Sequence, residues 1–471
     1  MKEGSAIVVG AGLSGLACAF DLARAGHKVV VLEASERAGG VVGTIEQDGF
    51  RFETGPNTLQ ASAAAFRTLC GDLGIAARLI VSPDEQSARY VFVGGRLRAL
   101  PATPLEFVSS SILSLRSRAI VCTEVLRAWK APSGFAEPDA ESFFTERFGA
   151  EAARVLAGSF VRGVYAAELS ELGARSAFPR MWRALEQHKS LVRGLRALGK
   201  QAPLALPGPN VARTALLSFP DGLQELVSAL ERALGGRLRK RASVKSVSLV
   251  RAAGAWRATT QSGERLEAEQ LVLAVPAKVA ARLLDGAPRS VPLDHLRRID
   301  HARVTLVHLG FEASELTRLP RGFGFLVPPP DASRTDSAGP RVLGTIFASN
   351  LFPGRAPRGC SALTCFYKSD DVESMNEEEL HDQACRDLAL VLGEARVPRP
   401  LVASSRRWSD VIPHYSPGHA DRIRDLVARV DVELPGLHLA GSYVAGVSVD
   451  DVIARGRAVA REVLERTPCK R

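Results

Sequence analysis

The glycines of Gly10-Ala11-Gly12-Leu13-Ser14-Gly15 are spaced for chemistry done by the backbone. The first permits a tight turn, the second lets N–H groups approach a pyrophosphate, and the third lets a helix lie close on a strand. Glu33 follows where an acceptor for a ribose hydroxyl is needed. The elements that must position these residues are legible on either side. Ala6-Ile7-Val8-Val9 is a continuous apolar run, the pattern of a buried parallel strand. Leu16 to Ala25 reads as a helix stopped at Gly26, and Lys28-Val29-Val30-Val31-Leu32 as a second strand ending at Glu33. A helix start so placed turns unpaired N–H groups and a positive dipole end toward phosphates. A lone glycine motif is a weak signal. Strand, helix, strand and acid in register make it a dinucleotide-binding unit, with a chance glycine-rich turn the lesser reading.

Glu36-Arg37-Ala38-Gly39-Gly40 comes next, and a unit for NAD does not need this second glycine pair. Flavoproteins similar to the amine oxidases carry an arginine and paired glycines here, so that the loop also covers the diphosphate. The expected cofactor is therefore FAD, against the plainer alternative of a turn before the next strand.

The chain has 471 residues, 46% of them hydrophobic, and a mean hydropathy of +0.03, too long for one ordinary core and suited to two or three. It has no apolar run long enough to span a bilayer, and Met1 lies close to the first strand, which leaves no room for a signal peptide. Seven cysteines without C-x-x-C spacing fit a reduced compartment better than disulfides or a metal site. A net charge of +10 suggests an acidic partner. No nucleic-acid motif is present, so anionic lipid or a polycarboxylate substrate leads.

Along the chain, Phe50 to Glu53 alternates like a strand and breaks at Thr54-Gly55-Pro56-Asn57-Thr58. In the similar flavoproteins the matching loop lies beside the isoalloxazine. Gly55 would then allow backbone contact with the flavin, and Asn57 would either sit near the reacting face or cap its own turn. Ala61 to Leu73 reads as a helix ended by Gly71 or Gly74, and Tyr90 to Leu97 as a hairpin with a Gly-Gly turn. From Leu100 to about Leu206 the pattern is helical. There Arg96, Arg98, Arg116, Arg118, Arg127 and Lys130 interleave with Leu105, Phe107, Val108, Ile112, Leu113, Leu115 and Trp129. That mixture suits either a surface resting on anionic lipid or a solvated helical face. Leu271 to Val275 is another buried strand, so the nucleotide unit is discontinuous. Val244 reads as a strand valine, or, by resemblance to related flavoproteins, as the position whose backbone meets the adenine. His301 to Phe366 alternates apolar and polar residues, predicting an antiparallel sheet with one buried face. The glycines of Gly322 to Pro328 would weaken a strand unless something packs on the backbone, either a flat ligand or the core itself. Near the end, Leu437 to Leu439 runs into Gly441, and Val447-Ser448-Val449 opens a helix through Arg461. Its start, delivered to the first motif, suits the flavin N1–C2=O edge. Gly441-Ser442-Tyr443 has no cysteine where covalent amine oxidases carry one, so the flavin is expected to be held non-covalently.

The whole chain resembles the oxygen-dependent protoporphyrinogen oxidase family. The resemblance rests on Arg89 to Gly95, Phe160-Val161-Arg162-Gly163-Val164-Tyr165-Ala166, Gly322 to Pro328, Trp408 to Tyr415 and Leu439 to Arg457. It implies an α/β fold with a discontinuous Rossmann-like FAD-binding domain (1–80, 216–280 and 401–471). It further implies a mixed-sheet substrate domain (81–97, 176–215 and 281–400) and an inserted helical domain (98–175) that docks on the membrane. By the same resemblance Arg89 pairs a substrate propionate, which a planar guanidinium suits. Gly163 and Ala166 leave room for the macrocycle, Gly324 allows close approach, and Phe160, Phe323, Leu326, Phe366 and Ile412 form apolar walls. Trp408 is a contact of the flavin domain. The implied reaction is six-electron oxidation of protoporphyrinogen IX by hydride transfer to FAD, with O2 reoxidising the flavin to give H2O2. No histidine or carboxylate stands out as a base. The implied setting is the cytoplasm, at the inner face of the cell membrane, with hand-off to a ferrochelatase and a homodimer as further expectations. Rival readings are a coproporphyrinogen III oxidase, an amine or carotenoid oxidoreductase, and a flavin-free carrier resembling the Rab GDP-dissociation inhibitors.

Overall fold

The computed structural model describes residues 4–124, 137–199, 206–331 and 339–466. The first half supplies β1 (Ser5–Val9), α1 (Leu13–Arg24), β2 (Lys28–Leu32), the hairpin β3 (Thr44–Gln47) and β4 (Phe50–Glu53), and α2 (Ala64–Asp72). A second hairpin, β5 (Arg89–Val93) and β6 (Arg96–Ala99), precedes a helical region that includes α3 (Ser159–Tyr165). Then follow β7 (Leu238–Arg239), β8 (Gln270–Leu273), β9 (His301–Glu312), β10 (Gly324–Leu326), β11 (Gly344–Ile346) and β12 (Cys360–Lys368). The chain closes with α4 (Glu377–Leu392), β13 (Val402–Pro413), α5 (His419–Glu433), β14 (Leu437–Leu439) and α6 (Val449–Arg466).

One sheet is parallel throughout, in the order β7-β2-β1-β8-β14. Ala6 to Val9 are buried on both faces, which explains the unbroken apolar run. Distant segments meet here. Helix α6 crosses α1 so closely that a Cβ on Gly456 would stand 2.1 Å from the Ser14 carbonyl oxygen. The α2 helix is shorter than predicted and is stopped by Gly74, in the left-handed region at φ +71°, with Gly71 inside it.

The second sheet has seven strands in the order β13-β9-β12-β11-β10-β5-β6. Its long strand β9, next to the edge strand β13, does not keep one solvated face. Val304 to Phe311 are all buried, Thr305 and His308 among them. One face packs on α4, while the β3–β4 hairpin and the helical region cover the other. Polar residues at the centre of such a sandwich are satisfied internally, as where Thr305 meets the Ser369 hydroxyl at 2.8 Å. Strand β13 pairs with β9, so residues 402–413 belong to this sheet and not with the nucleotide unit expected over 401–471. Trp182, Leu185 and Leu191 share a core with Phe143 and Phe144, which places residues 179–191 with the helical region, not the substrate domain.

In the helical region Ile112 and Leu113 are buried against Val91, Ala152 and Val155, so neither belongs to an exposed apolar face. Leu105, Val108 and Leu115 do stand exposed, at 81%, 55% and 77%. Arg127, Trp129 and Lys130 lie outside the described residues. Among the described residues, no helix is long and apolar enough to cross a membrane.

Candidate functional site

The first glycine motif separates by what surrounds each residue. A Cβ on Gly10 would meet the Ala274 carbonyl oxygen at 2.4 Å, and one on Gly15 the Gly10 carbonyl oxygen at 2.1 Å. On Gly12 it would meet nothing within 4 Å. Free space therefore lies against the one glycine whose role is to let a phosphate approach, and the cradle fits a dinucleotide. Leu13 and Ser14 begin α1 behind it, and the Ser14 hydroxyl donates to the Ala440 carbonyl of the loop after β14. Glu33 ends β2 with one carboxylate oxygen accepting the Ala11 N–H at 2.7 Å. The other accepts the Ser35 N–H and hydroxyl. Gly39 bridges to Gly12, its N–H donating to the Ala11 carbonyl at 2.8 Å, and Gly40 lies against the Gly12 Cα. Arg37 is spent within its own loop. Its guanidinium donates to the carbonyls of Ala38, Gly40 and Val42 and braces the second glycine pair from behind.

The loop after β4 is tightly packed, and Asn57 takes the turn-capping one of its two expected roles. Gly55 is required by packing, since a Cβ there would stand 2.4 Å from the Val41 carbonyl oxygen. Buried Asn57 donates its amide to the Gly55 carbonyl at 2.9 Å, the turn-capping arrangement, with Pro56 and Thr58 half-buried beside it. The Trp408 indole N–H donates to the Thr54 carbonyl at 2.7 Å, joining the large sheet to this loop. Val244 is buried at the start of a strand and shares a core with Val9 and Leu32. In the C-terminal loop a Cβ on Gly441 would clash with the Tyr443 ring, Val447 packs on the helical core, and buried Val449 opens α6. The Ser448 hydroxyl caps that helix, accepting the Asp451 N–H at 3.1 Å.

One face of the large sheet gathers most of the remaining predicted residues. Leu306, Phe366, Gly344, Leu326 and Val91 form a lateral row across five strands and point the same way. Gly324 and Arg89, two residues along, share that face. Ala166, Phe366, Trp408 and Ile412 meet in a single apolar cluster with Leu306 and Leu343. A Cβ on Gly163 would stand 2.4 Å from Leu326 Cδ2, so α3 seats its glycine directly on that leucine. Ala166 ends α3 in the left-handed conformation, at φ +47°, an uncommon state for a residue with a Cβ. Phe160 is 46% exposed, its ring 6.3 Å from Phe178.

Two residues stand apart from that cluster. Phe323 packs toward Leu216, Leu351 and Phe352, and the Arg89 guanidinium lies over its ring at 5.3 Å. Gly324 owes its identity to the neighbouring strand, because a Cβ would stand 2.0 Å from the Thr345 carbonyl oxygen. Core packing thus accounts for that glycine, and no flat ligand is needed to explain it. Arg89 has no acidic partner among the described residues, and partial burial of its guanidinium lowers its pKa. That leaves a cation free for an anionic ligand.

Sequence reasoning missed the joint between the two sheets. Arg355, 2% exposed, lies 3.0 Å from the Glu53 carboxylate and donates to the Ser218 hydroxyl and the Phe219 carbonyl. Glu53 also accepts the Thr44 hydroxyl and the Leu223 N–H. Burial pushes its carboxyl up to about 7, and Arg355 opposes that rise. Glu53 directly precedes the Thr54–Thr58 loop, a cue for its position but not for its partner. Arg162 was also passed over. It pairs with Glu168 at 3.7 Å and donates to the Pro328 carbonyl, fastening α3 to the Gly322–Pro328 stretch.

Comparison with known proteins agrees with this architecture. Residues 13–464 match the family model described as flavin containing amine oxidoreductase. A chloroplastic protoporphyrinogen oxidase of Nicotiana tabacum is 31% identical over 97% of this chain and 85% of its own length. The protoporphyrinogen oxidase of Homo sapiens is 32% identical over 98% of both chains, and the coproporphyrinogen III oxidase of Bacillus subtilis (strain 168) 26% identical over 97% of both. Among solved structures, a candidate protoporphyrinogen oxidase from Exiguobacterium sp. 255-15 superposes with a TM-score of 0.80 at 23% identity, covering 99% of this chain and 100% of its own. The chain belongs to the flavin-containing amine oxidoreductase family, alongside relatives named protoporphyrinogen oxidase.

Proposed function

We propose that the protein oxidises protoporphyrinogen IX to protoporphyrin IX, a six-electron reaction run through non-covalently held FAD with O2 as the final acceptor. The observation that carries this reading is the sheet face on which Ala166, Phe366, Trp408 and Ile412 form one apolar cluster. Trp408 ties that cluster to the loop after β4, and unpaired Arg89 stands on the same face further across the sheet. An apolar wall with a cationic lip suits a flat, greasy ring system that carries carboxylates on one edge. FAD fits the cradle around Gly12 and Glu33, and the loop after β14 has no cysteine to attach it. When bound, the flavin supplies a hydride acceptor. The chain's own part is orientation and exclusion of water. Arg89 fixes a propionate, Gly163 and Ala166 keep α3 close to the sheet, and Phe366 and Leu326 line the plane of the ring.

The exposed Leu105, Val108 and Leu115 lie near Arg116 and Arg118 in sequence, and together they form the proposed docking face for an anionic membrane at the inner side of the cell membrane. Flotation with phosphatidylglycerol vesicles, lost on Leu105→Asp with Leu115→Asp, tests this. Retention of full binding by the double variant would sink it.

The activity is tested by following porphyrin fluorescence with protoporphyrinogen IX and coproporphyrinogen III side by side. Arg89→Ala should raise KM about 30-fold, the loss of a charge-assisted contact of about 2 kcal/mol, with unchanged thermal stability. The similarity to the Bacillus subtilis enzyme is the support for a second reading, coproporphyrinogen III as substrate, although relatives named protoporphyrinogen oxidase are more similar. A marked preference for that compound would establish it.

A further inference from the structure

The loop that follows β14 is held from outside by two side chains that the site itself does not contain. The Tyr415 hydroxyl donates to the Ser442 carbonyl at 2.7 Å, and His419 Nε2 meets the Tyr443 carbonyl at 2.8 Å. The two rings stack at 4.6 Å with 29° between their planes, and both residues are about 95% buried. Two consecutive peptide units are thus gripped by one rigid pair. The grip falls just after Gly441, on a single helical turn, Ser442–Ala445, in the segment that leads to the Ser448 cap of α6.

The same turn is anchored on its far side. The Tyr415 carbonyl accepts the Gly173 N–H at 2.7 Å. The Glu137 carboxylate accepts the N–H of Gly418 and both the N–H and hydroxyl of Ser176. The Tyr415 ring meets Tyr165, at the end of α3, edge to face at 6.3 Å and 70°. Neither clamp residue can drift without disturbing a neighbour. Burial lowers the His419 pKa to about 4, so the ring stays neutral at physiological pH, and its Nε2–H is the donor that a carbonyl requires.

We infer that Tyr415 and His419 are positioning residues that fix the Gly441–Ser448 loop for the flavin. This rests on the flavin reading of the site. Neither residue is assigned contact with the cofactor; both act through the carbonyls they hold.

The test uses purified holoenzyme as wild type, Tyr415→Phe, His419→Gln and His419→Leu. FAD is stripped and restored while absorbance follows its uptake, the visible spectrum of the bound flavin is recorded, and KM for the porphyrinogen is measured. Tyr415→Phe, which keeps the ring and loses the donor, should weaken FAD affinity about tenfold, the equivalent of one hydrogen bond. It should also shift the flavin absorption bands and leave KM unchanged. His419→Leu should weaken affinity by at least as much, and His419→Gln, whose amide N–H replaces the donor, should recover most of it. Wild-type affinity and spectrum in Tyr415→Phe would overturn the proposal, as would equal losses in His419→Gln and His419→Leu. If His419→Leu does not fold, Tyr415→Phe and His419→Gln decide alone. Wild-type protein that takes up no flavin at all would overturn the flavin reading itself, and this inference with it.

Discussion

The two sheets do their work by different means. In the parallel sheet the backbone is the reagent. Gly10, Gly12 and Gly15 act through turns, free N–H groups and close approach, all within a few residues of one another. In the seven-stranded sheet the reagents are side chains, brought together by register from β5, β9, β10, β12 and β13, more than 300 positions apart at the extremes. A local backbone device leaves a spacing in the sequence. A face built from lateral partners leaves only residue types.

Three measurements would break or sharpen that contrast. The largest effect belongs to the glycines. Gly15→Val forces a side chain into the Gly10 carbonyl and should cost more than about 4 kcal/mol, with no soluble flavoprotein recovered. Gly12→Ala meets only open space and should leave apoprotein stability within about 0.5 kcal/mol while FAD affinity falls. Equal stability losses in the two variants would show that the space at Gly12 is not reserved for a ligand.

Next comes the joint between the sheets. Arg355→Leu strands Glu53 in the interior and should cost about 3 kcal/mol in denaturant unfolding. A neutral outcome would mean that the buried Arg355–Glu53 pair does not hold this joint.

The smallest effect is graded with pH. Burial lowers the pKa of His308 to about 3 and that of His419 to about 4, so both rings favour the native state only while neutral. The contribution of the two rings is complete above about pH 6.5, where both are neutral even when unfolded, and is lost as pH drops toward 4. Glu53, its carboxyl raised to about 7, shifts stability the opposite way over the same range. The slope should approach about 1.4 kcal/mol per pH unit for each ring. His308→Gln should remove about 1.4 kcal/mol per pH unit from the wild-type slope. Identical slopes for wild type and variant between about pH 6.5 and 4.5 would refute the assignment.

Much of this was legible in advance, and the physical reason differs by residue. The β1–α1–β2 unit follows from apolar runs and a glycine spacing that need no distant partner. The Gly94-Gly95 hairpin was equally plain, both residues having positive φ. The double burial of β9 was not, because alternation in His301–Phe366 cannot reveal that β3–β4 and α4 cover opposite faces. Gly55 was singled out for flavin contact, and Gly324 for close approach of a ligand or core packing. The neighbouring carbonyls of Val41 and Thr345 leave no room for a side chain at either. Arg355 carried no signal at all. Its partner Glu53 is more than 300 positions away, and nothing local marks either residue as paired.

The close crossing of α6 over α1 at Gly456 and Ser14 also bears on biosynthesis. The Gly10–Gly15 motif leaves the ribosome well before α6, the helix that covers its back. At ~5–20 residues per second, roughly 20–90 s separate the two events. Throughout that interval the nascent chain presents an apolar α1 without its lid, so the vitamin-derived cofactor can meet a finished cradle only after α6 has emerged.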